Sequence, residues 1–473
     1  MALFRTRPPS VPHALSRRQF LRQTLLAAAV TAGGAILSAC GGSTPATPTA
    51  GVATKPGATA VTGAATGTSA TAAPVTSSKG GKLTVGVYAY VPQGIPFDQV
   101  VKTYTTKYPN VQIDVQPLGN DITSDSAAFV QRMVAETQAK RSSYDLIAGP
   151  TTWIEVAPLA KLGAIDTIES YVPRTLLDDL YDPVRKGVTF SDGKIYSMPW
   201  WADVVGYMYR KSMLTTALGS DTPPQTWDDV VTYASTLKSK LPDKSAYGAD
   251  WPQSHRLFLP ILTTMTSSIY TSDGIWNADD PAFLQALELV KKLVPYMPAS
   301  AQQDLGSSKA FQAGNVAMAT YWPTQVLRAI QAGQPKDDIV MSANPKSKQA
   351  GTLFWNADVI IPKYSPNKEE AGRFMNEALL ADFTVEKTYD NWKILPYKSI
   401  NEKYQSRLPD WAKPLVGQIS TGAPIPMNPY WLNFEQPIFK EEAEKMILQG
   451  QSTADTQKNI ASRIKAGYKD FKG

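Results

Sequence analysis

Cysteine and histidine are nearly missing from this chain. Its 473 residues contain one cysteine, Cys40, and two histidines. A disulfide within the chain would need a second cysteine, and a cluster of histidine metal ligands would need more histidines than the sequence has. The HExxH, GxSxG and P-loop patterns of zinc proteases, serine hydrolases and nucleotide-binding proteins are also missing. We therefore expect no disulfide scaffold, no metal and no cofactor.

A run long and apolar enough to cross a membrane is missing as well. The apolar run "TLLAAAVTAGGAILSA" that precedes Cys40 has 16 residues, whereas a spanning helix needs about 20. Five arginines and no acidic residue lie in or before this run, and the run ends on small residues. This arrangement is typical of an export signal, which we predict over residues 1–39.

Two motifs refine this prediction. "SRRQFLR" at 16–22 resembles the twin-arginine export motif, with Arg17 and Arg18 as the pair. "LSAC" at 37–40 resembles the lipobox of bacterial lipoproteins, which implies that Cys40 becomes the acylated N-terminus and that the protein is extracytoplasmic and anchored to the cell membrane by lipid. The alternative is a general secretory signal with an incidental cysteine.

Removal of the signal changes the charge of the chain. The full chain carries a formal charge of +6, but without residues 1–39 it keeps 42 basic and 41 acidic residues. No basic excess remains that would favour a nucleic-acid partner.

Residues 40–80 are rich in Thr, Ala, Gly, Pro and Ser and have no aromatic or acidic residue. We predict a disordered tether there, with an end-to-end distance of about 30 to 40 Å.

The rest of the chain, residues 81–473, is long enough for more than one core. Its first part alternates strand and helix patterns: strands in 81–91 and 111–118, helices in 97–110 and around 124–140, and a short buried strand in "YDLIAGP". This order predicts an α/β unit with a largely parallel sheet. Ligands of such sheets bind beyond the carboxyl ends of the strands, here the turns after Tyr88, Val115 and Ile147.

The second part is predicted to be mostly helical, with helices over 281–297, 308–322, 367–383 and 439–451. "SPNKEEA" predicts a helix start with Asn367 as N-cap and Glu370 three residues later.

Five segments, in this order, resemble the extracellular solute-binding proteins of family 1, which serve bacterial ABC importers and include carbohydrate-binding members. They are "DGKIYSMPWWADVVGYMYRKSML" at 192–214, "TPPQTWDDVVTYASTLK" at 222–238, "AFQAGNVAMATYW" at 310–322, "IPKYSPNKEEAGRFM" at 361–375 and "ILQGQSTADTQKNIASRI" at 447–464. Arg210 departs from the family pattern, which usually has Asn, and we expect it to affect a lobe surface.

The resemblance implies a two-lobed α/β fold of the periplasmic-binding-protein type (type II), with discontinuous lobes joined by crossing hinge segments. On this reading lobe 1 comprises about 81–202 and 350–390, and lobe 2 comprises about 203–349 and 391–473. The hinge falls near 200–205. A monomer would bind a small solute in the cleft, close over it, and deliver it to the permease subunits of an ABC transporter.

Eleven tryptophans supply the candidate ligand contacts, because sugars stack their C–H faces on aromatic rings and need fixed hydrogen-bond partners. Trp227 and Trp411 are interpreted as structural. The predicted ligand-binding residues lie in turns after strands or in segments where related sugar binders line the cleft: Tyr90, Gln93, Trp153, Trp200, Trp201, Asp203, Trp251, Trp322, Trp355, Asn356, Asp358 and Trp431. We assign no catalytic residues, because the sequence predicts a binding protein and not an enzyme.

Other functions stay open at the level of the sequence. The same fold could bind a polyamine, a phosphorylated polyol or a metal complex. An exported glycosidase would need only two carboxylates about 5 to 10 Å apart, which a sequence cannot exclude. An adhesive or structural envelope lipoprotein would also use a long tether, but would show no saturable solute binding.

Overall fold

A computed structural model of the chain describes residues 80–119, 124–425, 427–431 and 435–472. The predicted export signal, the lipidation of Cys40 and nearly all of the predicted tether lie outside the described residues. Both sheets and every site discussed below belong to one compact unit, Ala72–Ala466. A second unit takes in the last residues of the chain, of which the end of the final helix is described. Among the described helices, none is long and apolar enough to span a bilayer.

The secondary structure alternates along the first part of the chain and is mainly helical later. The strands are β1 Gly81–Tyr88, β2 Val111–Leu118, β3 Leu146–Thr151, β4 Met198–Val204, β5 Gly206–Arg210, β6 Ser245–Gly248, β7 Val316–Tyr321, β8 Ile339–Ser342, β9 Leu353–Ile360 and β10 Ala423–Pro424. The α-helices are α1 Phe97–Lys107, α2 Ser124–Gln138, α3 Ala157–Lys161, α4 Arg174–Asp178, α5 Asp182–Val188, α6 Lys211–Leu218, α7 Trp227–Lys240, α8 Phe258–Thr263, α9 Pro281–Leu293, α10 Gly306–Gln312, α11 Thr324–Gln331, α12 Lys368–Phe374, α13 Asp382–Asp390, α14 Lys398–Tyr404, α15 Lys413–Ile419, α16 Gln436–Leu448 and α17 Thr453–Lys472.

The first sheet has the order β10-β9-β3-β1-β2, and β4 also pairs with β9. β1 runs parallel to β2 and β3, as the strand and helix alternation predicts, whereas β9 runs antiparallel to both β3 and β4. β2 continues through Pro117 to Leu118, so the predicted turn after Val115 is wrong. A proline is tolerated there because β2 lies at the edge of the sheet. β3 likewise continues past Ile147 to Thr151.

The second sheet has the order β6-β7-β5-β8. The predicted helix over 308–322 is wrong beyond Gln312, where α10 ends and the chain turns at Gly314 into β7. Gly314 has a φ of +78°, a conformation that favours glycine. All six residues of β7 are buried between β5 and β6, so its continuous apolar pattern belongs to a central strand.

A single residue, Val205, separates β4 of the first sheet from β5 of the second. β9 returns to the first sheet and pairs along β4, with Asp203 opposite Trp355. These strands carry the chain between the two sheets at the segment predicted to contain the hinge. The hinge itself and the limits of the two lobes remain predictions.

Helix starts differ from the expectation at one place. Asn367 precedes α12, but its side chain does not cap the helix; its amide donates instead to the Lys82 carbonyl oxygen (3.1 Å) and to Asp145 (3.2 Å). α12 then passes into a π-helical turn, Met375–Leu379, and does not run unbroken to 383. A reciprocal capping box is present at α7, between Thr226 and Asp229.

Arg210 is not on a surface, which corrects the expectation from the sequence. It is 1% exposed at the end of β5. Its guanidinium donates to the carbonyl oxygens of Phe311 (2.5 Å) and Val316 (3.3 Å), and it lies over the Phe311 ring. Arg210 therefore ties β5 to the α10–β7 segment inside the second sheet's core.

Candidate functional site

Five aromatic side chains from distant parts of the sequence meet between the two sheets. We call Trp153, His255, Trp322, Trp355 and Trp431 the aromatic cluster. The Trp153 and Trp431 ring centroids are 4.1 Å apart, and His255 lies 5.5 Å from Trp153 and 5.6 Å from Trp355. Trp355 is 5.4 Å from Trp322. Trp355 belongs to the first sheet, whereas Trp322 directly follows β7 of the second, so the cluster joins elements of both.

Trp153 is placed by a π-helical turn, Thr152–Val156, that directly follows β3. The buried Glu155 carboxylate stabilises this turn. It accepts hydrogen bonds from the Tyr88 hydroxyl (3.2 Å), the Thr151 backbone N–H (2.7 Å) and the Ser126 hydroxyl. Burial raises the pKa of Glu155 to about 7, although these hydrogen bonds act in the opposite direction. Sequence reasoning missed Glu155. The available signal was an acid inside the apolar run "TWIEVAPLA".

The second half contributes His255 and Arg256 from the segment after β6. The Arg256 guanidinium lies 5.1 Å from the Trp322 ring centroid and pairs with Asp304 (2.7 Å) and Asp250 (3.5 Å). Both acids thus compensate this cation. Burial, helped by the Arg256 charge, holds the pKa of His255 well below its usual range, so the imidazole is neutral at physiological pH.

Several buried polar atoms of the site have no hydrogen-bond partner among the described residues. They include the indole N–H groups of Trp153 and Trp431, Nδ1 of His255 and the side-chain oxygen of Asn356. Buried polar groups in proteins are nearly always paired, and each exception calls for an explanation. These unpaired donors and acceptors mark the cluster as a candidate binding site.

Beside the aromatic cluster lies a second group, the polar cluster, formed by Tyr90, Gln93, Asp203, Arg328 and Lys393. The Arg328 guanidinium donates to the Gln93 side-chain oxygen (3.1 Å), and the Tyr90 hydroxyl donates to the Gly149 carbonyl oxygen. The Lys393 ammonium lies 4.0 Å from the ring centroid of Trp201, and the Trp201 ring is perpendicular to the Tyr90 ring at a centroid distance of 6.0 Å. Asp203 adjoins Trp355 across the β4–β9 pair, so the two clusters are contiguous.

Of the charged groups in the polar cluster, Lys393 is buried, whereas Asp203 and Arg328 are half-buried. Burial raises the pKa of Asp203, and the charges of Lys393 and Arg328 together with the Trp201 indole oppose that rise. Burial lowers the pKa of Lys393 to about 8, with Asp203 opposing the change and Arg328 adding to it. Burial also lowers the pKa of Arg328. These groups titrate as a set because each one feels the others.

The structure brings most of the predicted site residues together and leaves some apart. The two clusters contain Tyr90, Gln93, Trp153, Asp203, Trp322, Trp355 and Trp431. Trp201 contacts Tyr90 and Lys393 of the polar cluster, and the unpaired Asn356 follows Trp355 on β9. Trp200 is buried against Trp201. Trp251 is buried beside Asp250 and, among the described residues, makes no ring contact with the aromatic cluster. Sequence reasoning missed His255, Arg328 and Lys393.

Asp358 is a buried anchor in this structure. Its carboxyl accepts a hydrogen bond from the Thr152 hydroxyl (2.7 Å), in the turn that carries Trp153, and burial raises its pKa well above the usual range.

Trp227, interpreted as structural, is buried and donates its indole N–H to Thr264 (3.1 Å). Trp411 packs against Trp392 outside both clusters. Within the described ranges, no group of three or more His, Cys, Asp or Glu side chains could hold a metal ion.

Solved structures share this architecture. The maltose-bound MalE3 of T. maritima matches with a TM-score of 0.69 and 18% identity, over 81% of this chain and 99% of that one. The cyclic α-maltosyl-1,6-maltose binding protein of Arthrobacter globiformis matches with a TM-score of 0.67 and 20% identity, over 82% and 98%. The GacH receptor of Streptomyces glaucescens matches with a TM-score of 0.67 and 16% identity, over 83% and 99%. The fold is therefore that of a two-lobed periplasmic binding protein, which confirms the predicted fold class.

The sequence defines the family. The family model of bacterial extracellular solute-binding proteins matches residues 88–383, more than half of the chain, and the chain belongs to this family. A probable ABC transporter-binding protein of Deinococcus radiodurans is 27% identical in an alignment of 195 residues that covers 38% of this chain. The match spans 46% of that relative's length. The family is one of binding proteins, and its name implies a location outside the cytoplasm.

Proposed function

We propose that this protein is the solute-binding component of an ABC importer and that it captures a sugar or oligosaccharide between the two sheets. The observation that carries the proposal is the convergence of four tryptophans and a neutral histidine from elements of both sheets. Flat aromatic faces bind the C–H faces of sugar rings, and they bury large apolar areas without adding charge. A solute held by rings from both sheets would favour the closed arrangement of the lobes.

The hydrogen-bonding groups around the rings fit the same class of solute. Buried indole N–H groups, an amide oxygen and the Asp203 carboxylate offer donors and acceptors at fixed positions. Sugar hydroxyls need both kinds of partner. A polyamine would need several acids, whereas Asp203 is accompanied here by two cations. Structural neighbours support the proposal, because their solved structures contain maltose, maltotetraose, acarbose and cycloalternan.

The anchoring part of the proposal rests on the sequence. Lipidation at Cys40 and a tether over 40–80 would hold the binding body at the extracytoplasmic surface of the membrane that contains the permease. Replacement of Cys40 by Ser should release the protein from the membrane fraction, and continued membrane association of this variant would count against a lipid anchor.

A thermal-shift screen of the purified protein tests the proposed ligand class, because a solute that binds only the folded state raises the unfolding temperature. The panel should contain neutral and acidic mono- and oligosaccharides, polyamines and polyol phosphates. We expect stabilisation by at least one sugar, increasing with its concentration and without cleavage of the sugar. Stabilisation only by polyamines or only by polyol phosphates would show that the solute is not a sugar. Turnover of an oligosaccharide would show that the protein is an enzyme and contradict the binding role.

A further inference from the structure

The polar cluster, which adjoins the proposed sugar site, contains two cationic side chains and one acidic side chain. Lys393 and Arg328 both lie near Asp203, and neither makes an ion pair within 4.0 Å with any described residue. Arg256, at the other end of the site, shows the contrast, because it has Asp304 at 2.7 Å and Asp250 at 3.5 Å. One end of the site thus has two acids paired with one cation, whereas the two cations at the other end have only Asp203, beyond ion-pair distance, among the described residues.

The other acids near this end do not supply the missing charge. Glu155 and Asp358 are near enough to Tyr90 to raise its pKa, as Asp203 also does. The Glu155 carboxylate is occupied by Tyr88, Thr151 and Ser126, and the Asp358 carboxyl by Thr152. Burial favours the protonated form of both. Two cations therefore share the single acid Asp203.

The position of Lys393 is built by a specific backbone motif. After α13, the Lys393 N–H bonds to the Thr388 carbonyl oxygen (3.1 Å) and the Trp392 N–H to that of Tyr389 (2.9 Å), which is the Schellman pattern. Trp392 has a φ of +57° where this motif normally has glycine. A left-handed conformation is costly for a bulky residue and persists only where the surroundings hold it.

The path of the Lys393 side chain is equally constrained. It is 7% exposed, and its ammonium lies 4.0 Å from the Trp201 ring centroid. A Cβ atom on Gly94 would come within 2.7 Å of the Lys393 side chain, so the glycine leaves room for it. A buried ammonium costs free energy unless an anion or several acceptors compensate it. A site that holds such a group in place is suited to a ligand that carries the compensating charge.

We propose that the solute is an acidic sugar, whose oxyanion group is bound by Lys393 and Arg328 while its rings contact the aromatic cluster. The inference rests on the proposed sugar-binding function and deepens it. A carboxylate, as in a uronic acid, and a phosphate share the chemistry that these two cations recognise. The planar guanidinium of Arg328 can bind either through two N–H groups.

The test is a calorimetric titration of the full chain with a matched pair of oligosaccharides: a uronic acid oligosaccharide and the same compound with its carboxyl groups reduced to hydroxymethyl groups. A sugar phosphate forms a third arm. We expect the acidic compound to bind about tenfold or more tightly than its neutral counterpart. Lys393→Met and Arg328→Gln should each bring the affinities for the acidic and the neutral compound to within about threefold of each other.

Lys387→Met is the control, since Lys387 lies on α13 shortly before Lys393 but is paired with Asp390 (3.5 Å) and belongs to neither cluster. It should keep the preference. Equal binding of the acidic and neutral compounds by the unchanged protein would overturn the acidic-sugar inference and leave the proposed function intact. The absence of binding to every sugar would overturn the proposed function itself. Preference for the phosphate arm would identify phosphate as the oxyanion, and an unchanged preference in both cluster variants would contradict the roles of Lys393 and Arg328.

Discussion

At the scale of single residues, the site depends on buried charges that a sequence does not reveal. Tryptophans after strands could be singled out because of their position and their chemistry. Lys393 and Arg328 could not, because lysine and arginine are mostly surface residues and only the packing of distant segments brings these two to Asp203. Arg210 illustrates the same limit: the expectation placed it at a surface, and the structure places it inside the second sheet's core.

Glu155 links one such buried charge to a measurable dependence of stability on pH. Its pKa is about 7 in the folded protein and close to 4.5 when unfolded. A raised pKa contributes stability that is complete below pH 4.5 and is lost as the pH rises through 7. Glu435, whose pKa is raised to about 8 by burial, acts in the same direction.

We therefore predict that Glu155→Gln reduces the fall in the free energy of unfolding between pH 5 and pH 8, by about 3 kcal/mol at most. Urea unfolding followed by circular dichroism at both pH values measures this difference. Glu402→Gln, at an exposed acid, serves as the control and should behave like the unchanged protein. The account of Glu155 would be wrong if its variant showed the same pH dependence as the control.

At the scale of elements, the spacing of apolar residues predicted the first strands and helices well, because it follows a period of two residues in the strands and about 3.6 residues in the helices. The structure of the later segments depends on pairing between residues that are far apart in the sequence. The segment 316–321 is apolar throughout, and a helix and a buried strand share that pattern until the neighbouring strands are known. Asn367 was a good candidate cap on local grounds, but its amide is used by Lys82 and Asp145, which are more than 200 residues away.

The close approach of β3 to the turn after β1 gives a prediction at this scale. Gly149 has a φ of +104°, and a Cβ atom there would lie 2.8 Å from Val91 and 3.0 Å from Tyr88. Gly149→Ala should destabilise the protein by clearly more than the roughly 1 kcal/mol expected for left-handed backbone alone. It should also weaken solute binding, since Tyr90 is bonded to this residue.

Gly163→Ala is the matched control, because Gly163 also has a positive φ (+66°) but has no atom within 4 Å of the added Cβ. Thermal unfolding and solute titration of both variants provide the comparison. Equal effects of the two substitutions would show that backbone strain, not the packing of β3 against the turn, accounts for the loss.

At the scale of the whole molecule, the family and the two-lobed class could be predicted from ordered segments spread over most of the chain. The pairing of β9 with β3 and β4 could not, since it joins segments that are about 150 to 200 residues apart and runs antiparallel within a sheet that otherwise suggests parallel order. That pairing sets Asp203 beside Trp355, and so makes one contiguous site of two clusters.

The central claim is that the aromatic cluster binds a sugar. The most direct test is a calorimetric titration, with the sugar that stabilises the protein best, of the unchanged protein, Trp322→Ala and Phe190→Ala. Both replaced rings are half-buried, but Phe190 contacts Tyr196 outside both clusters. We predict saturable one-site binding that Trp322→Ala weakens about tenfold or more, through the loss of apolar contact area, and that Phe190→Ala leaves unchanged. Equal affinity in all three proteins, or no saturable binding of any sugar, would contradict the account.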